Sequence, residues 1–178
     1  MPPDVSIAAV LRGDRQATEA LLRSILPRVR NVARALLGAD LEVDDVAQSV
    51  LLQVLRGLEG FRGEGSLSAW VDRITIRVAL GSSKRARFRR ERESAAAACE
   101  VDGTLGAAAD EYLYKREIAE LLDALPAEQR QAVVLHHVLG LSVPELAAEQ
   151  RVSLETARSR LRLGIGRLRA MTARRQSA

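Results

Sequence analysis

The sequence predicts an all-α protein made of two small helical domains joined by a flexible linker. Hydrophobic residues make up 47% of its 178 residues but aromatic residues only 3%, whereas sandwiches and barrels rely on aromatic and β-branched residues. Apolar residues also recur at helical spacing. The middle of the chain breaks this pattern, because it is alanine-rich and poor in large apolar residues. The predicted boundaries are 5–92 for the first domain, 93–111 for the linker and 112–175 for the second domain.

Breaks in the apolar pattern divide the first domain into four predicted helices. The breaks fall at Pro27, at 36–40 (LLGAD) and at the glycine-rich segment 60–66 (GFRGEGS). Pro27 is expected in the first turn of a helix, where its missing N–H costs nothing. Ser66 is expected to cap the helix that carries Trp70.

The segment DDVAQSVLLQVL predicts an amphipathic helix with two distinct faces. The stripe expected to face the domain's own core consists of Val46, Val50 and Val54. The adjoining edge, which suits a partner helix, consists of Asp45, Gln48 and Leu52. The alternative is that the acids only complement the helix N-terminus and Gln48 is solvated.

A dense basic tract closes the first domain. The segment KRARFRRER, residues 84–92, holds six basic residues in nine positions. Such density causes self-repulsion unless a polyanion lies nearby, so the tract predicts phosphate contacts. The alternative is a solvated helix end that runs into the linker. Trp70, as an isolated aromatic residue, fits a packing role better than a stacking platform.

Residues 142–169 predict two helices around a tight turn at 150–152. The first helix should run from Ser142 to about Glu149, and Ser153 should cap the second. The predicted buried stripe of the second helix consists of Leu154, Ala157, Leu161, Ile165 and Leu168. The set predicted to face solvent or a partner consists of Glu155, Arg158, Ser159, Arg162 and Arg169.

Arginine dominates this second helix and its extension. From Arg151 to Arg175 there are eight arginines and one acid, Glu155. The guanidinium group makes forked contacts to phosphate or guanine that lysine does not make. The pattern therefore favours a DNA-binding helix-turn-helix. The alternative is an exposed helix whose arginines only increase solubility.

Several function classes lack their sequence signatures. The lone Cys99 allows no disulfide framework and fits a reducing compartment. His136 and His137 have no further ligands at metal-binding spacing and are interpreted as helix-surface or interface residues. No phosphate loop, nucleophile elbow, signal peptide or membrane span is evident. We therefore expect a cytoplasmic, non-enzymatic protein without metal, cofactor or membrane insertion.

Two blocks of the chain resemble a known family. Residues 125–169 resemble region 4 of the sigma-70 family of bacterial transcription initiation factors, and residues 43–80 resemble region 2. The order of the blocks and the chain length resemble the extracytoplasmic-function (ECF) group, which keeps only these regions. The resemblance implies binding to core RNA polymerase and promoter DNA, a linker through the active-site channel, and control by an anti-sigma factor.

The resemblance also assigns roles to individual residues. The residues implied to bind core polymerase are Asp45, Gln48, Leu51 and Leu52. Those implied to act at the −10 region are Trp70, Arg73, Arg77, Lys84, Arg85 and Arg87. Those implied to contact the −35 region are Ser153, Glu155, Thr156, Arg158, Ser159, Arg160 and Arg162.

The chain departs from the family pattern at several of these sites. Arg77 and Gly81 replace the Asn and Asp used to capture a −10 base, and Ser49 replaces an acid on the docking helix. Arg151 stands where the turn usually has glycine, at an expected cost on the order of 1 kcal/mol. In the second helix, basic positions are taken by Leu163 and Ile165, and two glycines that weaken helices are Gly164 and Gly166.

Two rival functions remain open at this point. A stand-alone helix-turn-helix regulator would bind duplex DNA without polymerase and would dimerise or sense a ligand through its first domain. A helical adaptor would bind polymerase or an anti-sigma factor as a decoy, without promoter opening. The departures at Arg77 and Gly81 prompt the second alternative.

Overall fold

A computed structural model describes residues 6–38, 43–92 and 109–176, and all regular structure within these ranges is helical. The predicted all-α class is therefore confirmed. The α-helices are α1 (Ile7–Leu11), α2 (Arg15–Leu37), α3 (Val43–Gly57), α4 (Leu67–Arg92), α5 (Ala109–Asp123), α6 (Ala127–Val133), α7 (Val143–Gln150) and α8 (Leu154–Gln176). A 3-10 turn (Leu58–Gly60) follows α3, and a π-helical turn (Val134–Val138) follows α6.

The chain forms two compact units. The first comprises Met1–Arg34 and Glu42–Ala86, and the second comprises Ala35–Leu41 and Arg87–Ala178. Of the predicted linker, residues 93–108 lie outside the described ranges, and its last three residues begin α5. None of the described helices is both long and apolar enough to cross a membrane.

Helix α2 contradicts one boundary predicted from the sequence. Pro27 lies inside α2, not in a first turn, and α2 begins after Gly13 instead. The side chain of Asp14 caps it by accepting from the backbone N–H of Gln16 at 2.8 Å. A proline inside a helix costs about 3 kcal/mol. Buried side chains on both sides of Pro27 offset that cost, because Leu21, Ile25 and Val29 keep α2 on the core.

The first unit packs aliphatic side chains from its longer helices. The predicted core stripe of α3 is confirmed, since Val46, Val50 and Val54 are buried. Helix α4 begins as predicted, because Ser66 Oγ accepts from the backbone N–H of Ala69 at 3.1 Å. Further core side chains come from α2, the 3-10 turn and α4: Leu21, Ile25, Val29, Leu58, Val71 and Ile74.

A forked ion pair joins α2 to α4. Arg28 donates from Nε to Asp72 Oδ1 at 2.8 Å and from Nη2 to Asp72 Oδ2 at 2.6 Å. The Asp72 side chain is only 13% exposed, which holds one end of the pair rigid. This hydrogen bonding, together with the negative charge of Asp72, raises the pKa of Arg28 despite partial desolvation.

Replacing Arg28 with lysine is expected to lower the free energy of unfolding by about 0.5–1 kcal/mol. Because Arg28 is half-exposed, this loss in the free energy of unfolding is smaller than the loss expected for a buried ion pair. Urea denaturation measures it. The matched control is Arg30→Lys, because Arg30 bonds Asp44 through Nε at 2.9 Å and both side chains are well exposed. Equal losses in the two variants would contradict a special role for the fork.

The second unit centres on α6, α7 and α8. Its core contains residues from all three helices and the π-helical turn, among them Ala132, Val134, Leu135, Leu146 and Ala157. The π-helical turn is closed by a bond from the backbone N–H of Leu139 to the carbonyl of Val134 at 3.0 Å. This packing places α7 and α8 on one rigid support.

Candidate functional sites

The predicted helix-turn-helix is present, and side-chain caps define its ends. Helix α7 starts with a capping box, in which Ser142 Oγ accepts from the N–H of Glu145 and Glu145 Oε2 accepts from the N–H of Ser142 at 2.8 Å. Helix α8 starts at the predicted cap, because Ser153 Oγ accepts from the N–H of Thr156 at 3.1 Å. Both caps satisfy donors that helix starts leave unpaired.

Arg151 makes the turn between these helices. Its φ of 55° and ψ of 51° are left-handed, as the sequence predicted, and it is the one non-glycine residue with positive φ in the described ranges. That conformation costs about 1–2 kcal/mol for a residue with a Cβ atom. A backbone bond from the N–H of Val152 to the carbonyl of Ala147 at 3.0 Å helps close the turn.

The buried stripe of α8 differs from the prediction at one end. Ala157 is fully buried, but Leu154 is 39% exposed, so its predicted burial was wrong. Leu154 is the first residue of α8, where the helix begins. The remaining members of the predicted stripe are half-buried: Leu161, Ile165 and Leu168.

The close contact between α8 and α6 at Gly164 was not predicted from the sequence. Gly164 is buried, and a Cβ atom at this position would lie 2.8 Å from Val133 Cγ2 and 3.2 Å from the Gln129 carbonyl oxygen. The glycine therefore permits close approach of α8 to α6. Helix α8 continues through Gly164 and Gly166 to Gln176. The signal was available in the sequence, since Gly164 lies seven residues after Ala157 on the same face.

An exposed ridge runs along α8. We call it the α8 ridge; its members, at helical spacings of three, four and seven, are Glu155, Arg158, Arg162 and Arg169. The ridge spans roughly 21 Å at 1.5 Å per residue. Arg158 Nη1 lies 3.7 Å from Glu155 Oε2, which brings a carboxylate beside the first guanidinium. A helix with such an edge fits the major groove of DNA.

The other predicted −35 residues are less exposed or already bonded. Ser153 and Thr156 are exposed, and their hydroxyl oxygens lie 2.9 Å apart in the cap. Ser159 and Arg160 are half-buried. Arg160 donates from Nη1 to Gln150 Oε1 at 3.0 Å. Arg160 therefore lies off the α8 ridge and is anchored to α7.

The predicted polymerase-binding residues lie on one side of α3. Asp45 and Gln48 are exposed, Leu52 is 54% exposed, and Leu51 is half-buried. The neighbouring Asp44 is paired with Arg30. An exposed leucine between polar residues on a rigid helix is suited to a partner helix.

The predicted −10 residues lie along α4. Arg73, Arg77, Lys84 and Arg85 are exposed. Arg87 is exposed too, and its Nη1 donates to Glu128 Oε1 at 2.8 Å within the second unit. The side chains of 89–92 lie outside the described residues.

Trp70 is half-buried against neighbouring groups of the first unit. Its ring centroid lies 5.4 Å from that of Phe61, and a Cβ atom on Gly57 would lie 3.2 Å from its Cζ2. These contacts support the packing role inferred from the sequence.

The two histidines differ in their surroundings. His136 is half-buried, and its Nδ1 lies 2.7 Å from the Leu141 carbonyl oxygen, whereas His137 is exposed. In the part of the chain that the structure describes, no group of three or more His, Cys, Asp or Glu side chains could hold a metal ion.

Family comparisons match both halves of the chain. Residues 21–93 match Sigma-70 region 2, and residues 115–168 match Sigma-70, region 4. The ECF RNA polymerase sigma factor SigE of Mycolicibacterium smegmatis is 32% identical over 177 residues, covering 93% of this chain and 66% of that protein, just under two thirds. The ECF RNA polymerase sigma factor SigM of Mycobacterium tuberculosis is 30% identical over 162 residues, covering 88% of this chain and 80% of SigM.

Solved structures agree on the fold. The sigma factor RpoE from Bartonella quintana, in complex with the anti-sigma factor NepR, aligns with a TM-score of 0.63 and 26% identity, covering 87% of this chain and 96% of RpoE. CnrH in complex with the cytosolic domain of CnrY aligns with a TM-score of 0.53 and 23% identity, covering 94% of each chain. The second likeness concerns the fold alone.

Proposed function

Because the chain belongs to the sigma-70 family, in its ECF group, we propose that it directs core RNA polymerase to specific promoters. The observation that carries the proposal is the presence of both sigma regions, in order, in a chain whose helix-turn-helix exposes an arginine ridge. The relatives are RNA polymerase sigma factors by name. The chemistry of RNA synthesis then belongs to the polymerase, and this protein acts in the cytoplasm as a non-enzymatic initiation factor.

Residues 5–92 are proposed to dock on polymerase and to act at the −10 element. The exposed edge of α3, formed by Asp45, Gln48 and Leu52, supports docking because it presents polar and apolar contacts on one rigid helix. Exposed Arg73 and Arg77, one turn apart on α4, support contact with DNA phosphates or unpaired bases.

Residues 112–175 are proposed to bind the −35 element through the α8 ridge. The ridge faces away from the core of its unit, as major-groove insertion requires. Residues 93–111 are proposed as the linker between the two domains. An anti-sigma factor is proposed as the regulator, since the sigma factor RpoE was solved in complex with one.

Run-off transcription tests the proposal. Purified core polymerase from the same bacterium is incubated with this protein and a panel of fragments from the genome that encodes it. We expect transcripts that require both the protein and particular fragments. Absence of such transcripts together with undetectable core binding would overturn the proposal. DNA binding by a dimer without polymerase would instead favour a stand-alone regulator, and core binding without permanganate-reactive thymines would favour a decoy.

Replacing Arg162 with alanine is expected to weaken promoter binding by the holoenzyme about 5- to 150-fold, because a forked arginine contact to a base is worth about 1–3 kcal/mol. Fluorescence anisotropy with a fragment selected in the run-off assay, at one fixed salt concentration, measures the change. The control is Arg174→Ala, which removes the same charge from an exposed residue in the last turn of α8. Equal losses of promoter affinity in both variants would argue against recognition of −35 bases by the α8 ridge.

A further inference from the structure

Gln150 links α6, α7 and α8 of the second unit through one side-chain amide. It is the last residue of α7 and is only 5% exposed. Its Nε2 donates to the carbonyl oxygen of Glu128 in α6 at 3.1 Å. Its Oε1 accepts from Nη1 of Arg160 in α8 at 3.0 Å. The amide therefore fixes a guanidinium of the DNA-reading helix against the body of its unit.

The chemistry of the partners determines the orientation of this amide. The Glu128 carbonyl only accepts and the Arg160 guanidinium only donates. A flipped amide would oppose oxygen to oxygen and N–H to N–H, leaving buried polar groups unsatisfied. Both ends of Gln150 are thus used in one orientation, and the position of Arg160 follows from it.

Arg160 is placed at the border of α8, not on its reading edge. It lies two residues from both Arg158 and Arg162, so it faces a different direction from the α8 ridge. Arg160 is half-buried, and its bond to Gln150 holds the guanidinium in place. This bond uses one of the five N–H groups of the guanidinium. Groups at the border of a recognition helix meet backbone phosphates, which set the position of the helix in the groove. A held guanidinium binds phosphate with a smaller loss of side-chain freedom.

We infer that Gln150 is a positioning residue that holds Arg160 for one backbone phosphate beside the −35 element. The inference rests on the proposed function and deepens it. Arg160 then contributes affinity and register without reading a base, whereas the α8 ridge reads sequence. The sequence reasoning assigned Gln150 to the turn and missed this role.

Holoenzyme binding to a promoter fragment selected by the wild type in run-off transcription tests the inference. Fluorescence anisotropy is measured from about 50 to 200 mM salt for Arg160→Ala, Gln150→Met and the double variant. Each single variant should bind roughly three- to tenfold more weakly and lower the slope of log affinity against log salt by about 1. The double variant should bind no more weakly than Arg160→Ala. Discrimination against a fragment with one changed −35 base pair should stay as in the wild type.

A further variant separates positioning from folding. Gln131→Met removes another buried glutamine side chain, 7% exposed in α6, and should lower the melting temperature without changing the salt slope.

Three results would overturn the inference: a wild-type slope in Gln150→Met, additive losses in the double variant, or altered base discrimination in Arg160→Ala. Failure of the wild-type holoenzyme to transcribe or bind any fragment would overturn the proposed function itself.

Discussion

Replacing Leu52 with aspartate is expected to weaken binding to core RNA polymerase about 10- to 100-fold and to reduce run-off transcription accordingly. Leu52 is 54% exposed on α3, one turn after Gln48 and about two turns after Asp45 on the same edge of the helix. If this edge docks on a partner helix, the substitution places an unpaired charge in the centre of an apolar contact. Titration of labelled protein with core enzyme measures the change.

The fold should tolerate this substitution, because an exposed position usually changes the free energy of unfolding by no more than about 0.5 kcal/mol. Leu11→Asp is the matched control, because it makes the same chemical change in the same unit but outside α3. Leu11 is 48% exposed in α1. Leu11→Asp should bind core enzyme as the wild type does. Equal affinity in Leu52→Asp and Leu11→Asp, with both folded, would show that the α3 edge is not the docking surface.

Periodicity and capping chemistry predicted the main features of the fold. The all-α class, the buried valines of α3 and the caps at Ser66 and Ser153 all followed from spacing and local hydrogen bonding. Such features depend on residues within a few positions of each other, so they can be inferred from a single sequence. The left-handed conformation of Arg151 was implied by the family resemblance, because the turn of the family usually has glycine at this position.

Features that depend on distant residues were not predicted. The helix break expected at Pro27 is absent, because the buried side chains around it outweigh a local preference. The exposure of Leu154 was not predicted, because helical spacing alone does not show which end of a stripe other helices cover. Gln150 was assigned to a turn because its partners, Glu128 and Arg160, lie 22 and 10 residues away.

The candidate site on α8 also has features that the sequence predicted and features that only the structure shows. Residue types and spacing indicated an exposed arginine edge, and the structure shows Arg158 and Arg162 exposed on α8. Helical periodicity left Arg160 out of the face predicted to be exposed, but the −35 assignment implied by the family resemblance grouped all three arginines. The structure separates Arg160 from the other two, because Arg160 is half-buried and bonded to Gln150. Burial and hydrogen-bond partners therefore assign different roles to residues that composition treats as equal.

Replacing Gly164 with alanine is expected to lower the free energy of unfolding of the second unit by about 1–3 kcal/mol, although alanine favours a helix over glycine by about 1 kcal/mol. The new Cβ atom would lie 2.8 Å from Val133 Cγ2 and 3.2 Å from the Gln129 carbonyl oxygen. Neither neighbour yields easily, because valine is stiff about χ1 and the other contact is backbone. Helices α6 and α8 must therefore move apart to accommodate the new Cβ atom. Urea denaturation followed by circular dichroism would measure the lower free energy of unfolding.

Gly166 provides the opposite test on the same helix. A Cβ atom there would meet nothing within 4 Å, so Gly166→Ala should raise the free energy of unfolding by up to about 1 kcal/mol. One chemical change, two residues apart, should therefore act in opposite directions. Stabilisation by both substitutions would mean that α6 and α8 are not in close contact at Gly164. If the contact exists, Gly164→Ala should also weaken promoter binding, because the α8 ridge moves with the helix that carries it.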